Sequence, residues 1–414
     1  MATTPGTSAE PDEFWSCDVL VVGAGPAGSA AAIEASRNGL DTVVLDKARF
    51  PRDKCCGDGL TAGALRQLES MGLRPEELPS WTPIGEVHVV GPGGRSVCFP
   101  LPEGPGLHAA VCRRRELDAA LVQLAREAGA AVLEGHALSA LRADGPWMEA
   151  EAGGIRFRAR YLVAADGMWS PTRRLLGLNR PGYRGEWHAF RQYLTNVTGP
   201  AATDLMVWFE PDLLPGYAWS FPLGGGTANV GFGILRASGF DVQAMGRTWP
   251  DLLARPHIAA ALGADAKAEA PHRAWPIPAH LPGATLSHGR VLFVGDAATA
   301  SDPMTGEGIG QALETGRLAV RSIARAGAHR PVAVADRYRQ ELARGMMVDH
   351  RLAGLLSGVL TRPRAISAAI AVAGCHPWTR RNFGRWLFED YPRAQLLTPR
   401  RWGRGGLGGP GAFT

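Results

Sequence analysis

At 414 residues the chain is long for one hydrophobic core and suits two closely joined domains with a C-terminal addition. Composition is that of a globular protein, 45% hydrophobic and 20% charged, and a net charge of +5 without a compact Lys/Arg block among the first 370 residues argues against nucleic-acid binding. Six scattered cysteines, with no CxxC pair and no HExxH, indicate neither a disulfide framework nor a zinc site, so the adjacent Cys55 and Cys56 read as thiols.

Residues 1–16 are polar, carry three acidic side chains and lack an apolar core, which predicts a disordered N-terminal tail rather than a secretory signal. A cytoplasmic protein is the resulting expectation. From Cys17 to Asp46 an apolar strand, a glycine turn, an Ala-rich helix and a second apolar strand form a βαβ unit. The turn GAGPAG places Gly23, Gly25, Pro26, Ala27 and Gly28 directly between strand and helix. Its glycines allow a tight turn, close approach of backbone to a pyrophosphate, and close helix–strand packing. Asp46, followed by Lys47, lies eighteen residues after Gly28, where an acid that binds ribose belongs.

A Pro/Gly loop follows, then a helix from about Thr61 and strand-like runs near Val87–Val90 and Val97–Phe99. Leu117, Leu121 and Leu124 mark a helix over 114–129. Strands around Ala131 and Phe157 lead to YLVAADG, Tyr161–Gly167, and the stretch from Trp187 to Pro276 alternates as an inserted antiparallel sheet would. After Pro331 the pattern is helical to the end. These elements predict an α/β fold: a Rossmann-like dinucleotide-binding domain (17–84, 108–180 and 277–330), an interleaved antiparallel β-sheet substrate domain (85–107 and 181–276), and a C-terminal helical region with a basic tail (331–414).

Two later motifs identify the dinucleotide. DGMWSPTRR places Asp166 and Gly167 after one strand, and GDAATASDPMTGEGIG places Gly295 and Asp296 after another, with Pro303, Gly306, Gly308 and Ile309 shaping a loop into a helix. Strand C-termini gather at one edge of a parallel sheet, so motifs spread over about 280 residues serve one long ligand, FAD. A separate stretch, LPGYAWSFPLGGG, puts Tyr217, Trp219 and Phe221 on one side of a strand, just before Pro222. Read alone, this row of rings is either a packed sheet face or the wall of a pocket.

From Asp18 to about Val320 the chain resembles the para-hydroxybenzoate hydroxylase-type flavoprotein superfamily. The resemblance implies that Gly23–Gly28 hold the pyrophosphate, Asp46 the adenosine ribose and Asp296 the ribityl chain. It also implies that Arg114, in RRELD, lies beside the phosphate arm, unless it is a solvated helix start, and that Gly306–Ile309 border the flavin. Within the superfamily, FPRDKCCGDGL and Tyr217-x-Trp219-x-Phe221-Pro222, then eight residues, then Gly231-x-Gly233, are similar to the geranylgeranyl reductase family, in the form seen in members that saturate the menaquinone tail. One departure is Leu214, where that family usually has proline, with Pro215 beside it.

This resemblance implies hydride transfer from reduced FAD to C=C bonds of a prenyl chain, geranylgeranyl or the side chain of an isoprenoid quinone. Such a chain binds only by burying area, about 0.8 kcal/mol per methylene, which flat rings supply. Cys56 is the candidate catalytic group at the flavin edge, or else a packing thiol. With no second GxGxxG-plus-acid unit, NAD(P)H or another reductant is expected to bind transiently. Two rivals remain at this stage: an FAD-dependent monooxygenase or halogenase acting on a hydrophobic natural product, and a flavin-bearing lipid carrier. Halogenases carry Trp-x-Trp-x-Ile-Pro in the comparable strand, which Tyr217 and Phe221 alter. Finally, residues 379–404 hold seven arginines against Glu389 and Asp390, interleaved with Trp386 and Trp402, which fits either a solvated tail or peripheral contact with the inner face of the cell membrane.

Overall fold

The computed structural model describes residues 14–102, 104–388 and 410–414. Its first sheet has Trp15–Val22 at the centre, paired in parallel with Thr42–Asp46 on one side and Ile155–Ala164 on the other. Ala131–Glu134 and Val291–Phe293 extend it outward, also in parallel. Val19, Leu20 and Val21 are fully buried, as a central parallel strand covered on both faces requires. The strand begins at Trp15, so Trp15 and Ser16, read from sequence as tail, are ordered sheet; residues 1–13 lie outside the described part.

The turn out of this strand needs its glycines. Gly23 has φ +100°, and a Cβ on Gly28 would lie 1.7 Å from the Gly23 carbonyl oxygen, so helix Pro26–Arg37 starts hard against the strand. Helix Ile309–Ala326 packs alongside it and returns the chain from the GDAATASDPMTGEG loop to the same sheet edge.

The second sheet runs in the order Lys267–Ala268, Trp187–Thr195, Ala228–Leu235, Tyr217–Pro222, Leu205–Trp208, Glu86–Val90, Ser96–Pro100, with Arg273–Ile277 also beside Trp187–Thr195. It is antiparallel except where Leu205–Trp208 pairs in parallel with Glu86–Val90. Helices Met245–Leu253 and Pro256–Leu262, within a region read mostly as strand, cover its back and bury Phe190, Ala218 and Phe232. The opposite face, carrying Trp187, Tyr217, Trp219 and Phe221, turns toward the first sheet. Between the two lies a small sheet of Gly59–Thr61, Thr82–Pro83 and Ala109–Val111.

Four helices follow, Pro331–Arg344, Met346–Val359, Pro363–Ala373 and Pro377–Phe388. The helical reading of the whole C-terminus does not hold at its end. Ala412 is fully buried and forms a bridge with Leu107, returning the last residues to the body of the protein. Of the arginine-rich segment, 379–388 is helical and 389–404 lies outside the described residues.

Candidate active site between the two sheets

A cavity of about 1260 Å³ runs between the sheets. At one end its wall is the turn Gly23, Gly25, Pro26 and Ala27, with Asp46 and Lys47 at the tip of the neighbouring strand. Helix Pro26–Arg37 has no side-chain cap, which leaves its first amides and its positive dipole end available to an anion. The Asp46 carboxylate is fixed by the amides of Ala24 and Ala48 at 2.7 and 2.8 Å. Arg114, buried, makes a two-pronged pair with Asp118 at 2.7 and 2.8 Å, and Arg52 joins the same carboxylate at 2.8 Å.

The same cavity is lined by Asp166 and Gly167, by Gly295 and Asp296, and by Gly306, Gly308 and Ile309. Asp166 accepts from the Thr172 amide at 2.8 Å, while its Oδ1 is buried without a partner. A long groove, an uncapped helix start, carboxylates at three strand ends and an orphaned acceptor are what a dinucleotide with ribose and ribityl hydroxyls fits. Three sequence-predicted residues lie off this wall. Gly28 is packed behind the turn, Pro222 is a buried member of the strand ladder opposite Ala228, and the Pro303 carbonyl accepts from the Trp187 indole at 2.9 Å.

The other end of the cavity is the aromatic strand. Tyr217, Trp219 and Phe221 stand side by side with successive centroids 5.9 and 6.0 Å apart, and all three line the space. Their cross-strand partners explain the Gly-x-Gly pair: Gly233 lies opposite Tyr217 and Gly231 opposite Trp219. A Cβ on Gly231 would fall 2.5 Å from the Trp219 ring, so the indole lies flat over bare backbone. The Tyr217 hydroxyl donates to the Thr305 carbonyl, in the loop that leads to Gly306. Phe221 packs over the Cys56 loop, where a Cβ on Gly57 or Gly59 would meet it at 3.3 Å.

Residues 16–347 match the FAD binding domain family. The chain is 38% identical over 370 residues to the menaquinone reductase of Mycobacterium tuberculosis, covering 83% of this chain and 84% of that one. It is 36% identical over 317 residues to digeranylgeranylglycerophospholipid reductase 1 of Methanopyrus kandleri, covering 73% and 79% respectively. The chain belongs to the geranylgeranyl reductase family of FAD-binding flavoproteins. The fold agrees with the geranylgeranyl bacteriochlorophyll reductase-like protein of Thermoplasma acidophilum at TM-score 0.74 and 20% identity, over 94% of this chain and 100% of the other.

In this geranylgeranyl reductase family member, Cys56 lies where the two ends of the cavity meet, and burial pushes its thiol pKa up against the pull of the Arg114 guanidinium. Beside it is a buried polar cluster whose members lie far apart in the chain. Asn229 donates to the Cys56 carbonyl and to Asp58 Oδ2, both at 2.8 Å, and accepts from the Trp219 indole at 3.1 Å. Tyr193 donates to the same Asp58 oxygen at 2.7 Å. Burial raises the Asp58 pKa to about 6, opposed by Arg191 and these donors.

Glu307 is the second group missed. It lines the cavity, its Oε1 accepts from the amides of Ile309 and Gly310 at 2.9 and 3.0 Å, and its Oε2 is buried without a partner. Burial, with the charge of Asp302 nearby, raises its pKa to about 7. Lys54 sits over the Trp275 ring at 3.5 Å, its pKa lowered to about 8 by burial against the attraction of Asp296. Sequence signals existed for Glu307, the acidic residue within TGEGIG, and for Lys54 and Asp58, both inside FPRDKCCGDGL, whereas nothing marked Asn229 or Tyr193.

Proposed function

We infer that this protein is an FAD-dependent reductase that saturates C=C bonds in a prenyl chain, with the side chain of menaquinone or a geranylgeranyl group as the substrate class. The observation that carries this reading is the continuity of one cavity from the dinucleotide cradle to a wall of three aromatic rings. The kinship with reductases named for menaquinone and for a digeranylgeranyl lipid supports it.

Saturating an isolated alkene puts a hydride on one carbon and a proton on the other. When bound and reduced, FAD supplies the hydride. The chain's own residues have the remaining tasks. Tyr217, Trp219 and Phe221 bind the prenyl chain by area and exclude water. The Cys56 thiol and the Glu307 carboxyl, both held toward their protonated forms by burial, stand at the cavity wall as proton carriers. Of the two, Glu307 is the assigned acid, because its buried Oε2 stands at the cavity with only the Gln311 side chain beside it. As part of the same proposal, NAD(P)H or another reductant recharges the flavin by transient binding, at the cytoplasmic side of a membrane that holds the lipid substrate.

The test is anaerobic. Reduced holoprotein mixed with a detergent-dispersed, unsaturated prenyl quinone should reoxidise its flavin and yield a product heavier by two hydrogens. A product carrying an added oxygen or halogen would instead establish the hydroxylase or halogenase reading, and persistence of the reduced flavin would establish a lipid carrier.

A further inference from the structure

Nine of the residues that close the substrate end of the cavity come from the last three described helices, including Leu356, Ile366, Ile370 and Phe383, and Leu360 follows the first of them. The outward sides of these helices are also apolar. Leu355, Val372 and Trp378 are 72%, 67% and 67% exposed, whereas most large apolar side chains elsewhere are buried. Segments Met346–Gly358 and Pro363–Ala373 meet at 117°, so they form a bent pair rather than a rod, and among the described residues no single helix is long and apolar enough to cross a membrane.

Charge adds a direction. From residue 346 to 388 there are six arginines (351, 362, 364, 380, 381 and 385) against one acid, the buried Asp349. Arg362, Arg364 and Arg381 are exposed, bordering Leu355, Val372 and Trp378 along the chain. A protein partner would find apolar spots bordered by exposed guanidinium groups. An anionic bilayer offers the complement to both, acyl chains for the apolar residues and headgroup phosphates for the guanidinium groups.

Building on the reductase reading, we propose that helices Met346–Val359, Pro363–Ala373 and Pro377–Phe388 are a docking face for an anionic lipid surface, through which the prenyl chain passes from the bilayer into the cavity. The face holds the protein in the interfacial layer without spanning it. It extends the membrane contact from the arginine-rich segment, of which 379–388 belongs to the third helix, to all three helices that also wall the site.

The test uses FAD-loaded full-length protein floated with vesicles of phosphatidylcholine containing about one third phosphatidylglycerol, or phosphatidylcholine alone, in wild type and in Leu355→Glu/Trp378→Glu. Neither substituted residue lines the cavity. Wild type should float with the anionic vesicles, less so with neutral ones or at about 0.5 M salt, and the variant should bind about tenfold less. Both proteins should reduce a detergent-dispersed prenyl quinone equally, while the variant reduces the vesicle-embedded quinone about tenfold more slowly. Absence of wild-type flotation, or equal flotation of the variant, overturns the docking face. So does a wild-type dimer that the variant dissociates without any vesicle binding, since that makes the face a self-contact. Failure of wild type on dispersed quinone counts against the reductase reading and leaves the flotation result to judge the docking face separately.

Discussion

The two glycines opposite the aromatic strand look equivalent in sequence and are not equivalent in space. A Cβ added at Gly231 would lie 2.3 Å from the Phe190 carbonyl oxygen and 2.5 Å from Trp219 Cζ2, whereas one at Gly233 meets nothing nearer than 3.8 Å. The Phe190 carbonyl is backbone of the adjoining strand, so Gly231→Ala must both part the two strands locally and push the indole away by about 1 Å. Overpacking of this kind costs about 1–3 kcal/mol. Displacing the ring also lengthens the 3.1 Å bond from the Trp219 indole to Asn229, worth about 1 kcal/mol more. The expected loss is therefore about 2–4 kcal/mol, within the range a stable domain survives. Urea unfolding gives the stability change, and flavin absorbance of the purified protein reports whether the distant dinucleotide cradle is intact. The expected result is near-normal FAD content, reduced stability and at least tenfold slower prenyl reduction, with Gly233→Ala close to wild type in all three. Equal behaviour of the two variants would refute the account of the wall as a close-packed ring-on-backbone surface.

Other changes probe the remaining parts of the site. Asn229→Ala strands the Cys56 carbonyl and the Trp219 indole inside the protein and leaves Asp58 Oδ2 to Tyr193 alone, so a loss of about 3 kcal/mol in urea unfolding is expected with flavin still bound; a loss under about 1 kcal/mol would mean water replaces the amide. If Glu307 must carry a proton, single-turnover flavin reoxidation should fall as pH rises through about 7, and Glu307→Gln should be roughly 100-fold slower with that pH dependence gone. Because Asp58 and Glu307 both have raised pKa values in the folded protein, the stability they contribute is complete below the ordinary carboxylate range and is lost as pH climbs through about 6 and about 7; the thermal midpoint should drop from pH 5 to pH 8, less steeply in Glu307→Gln. Gly28→Val should yield colourless protein, since even a Cβ there overlaps the Gly23 carbonyl at 1.7 Å, and retention of stoichiometric FAD would contradict the role of the turn. Tyr217→Phe keeps the ring but removes its bond to the Thr305 carbonyl, so it should raise the KM for prenyl quinone more than it lowers kcat; unchanged KM would make that bond incidental.

What could be read from the sequence was local. The βαβ turn is announced within six residues, and strand periodicity alone puts Tyr217, Trp219 and Phe221 on one face, as found. What could not be read depends on pairings distant in the chain. Asp58 and Asn229 meet across 171 positions, and in sequence Asp58 is a turn residue between two glycines. The parallel pairing of Leu205–Trp208 with Glu86–Val90 and the return of Ala412 to Leu107 are likewise set by tertiary packing, with no periodic signal to announce them. Strand Gly59–Thr61 is three residues long and forms because Ala109–Val111 is there to pair with it.

The missed contacts bear on how an apolar substrate is positioned at all. A prenyl chain has no hydrogen-bonding group along its length, so nothing in the chain itself can fix an alkene at one distance from the flavin. Position must come from the shape of the wall, and shape is only as fixed as the rings that make it. Each of the two rings with a polar atom is tied to a different loop of the flavin side: Tyr217 through Thr305 to the loop ending at Gly306, and Trp219 through Asn229 to the backbone of Cys56. Phe221, with no polar atom, is held by contact with Gly57 and Gly59 of that same loop. The rings therefore cannot shift relative to the redox site without breaking buried hydrogen bonds or opening a void, and both are costly in an interior that excludes water. An oily cavity becomes a ruler because its polar atoms face away from the oil.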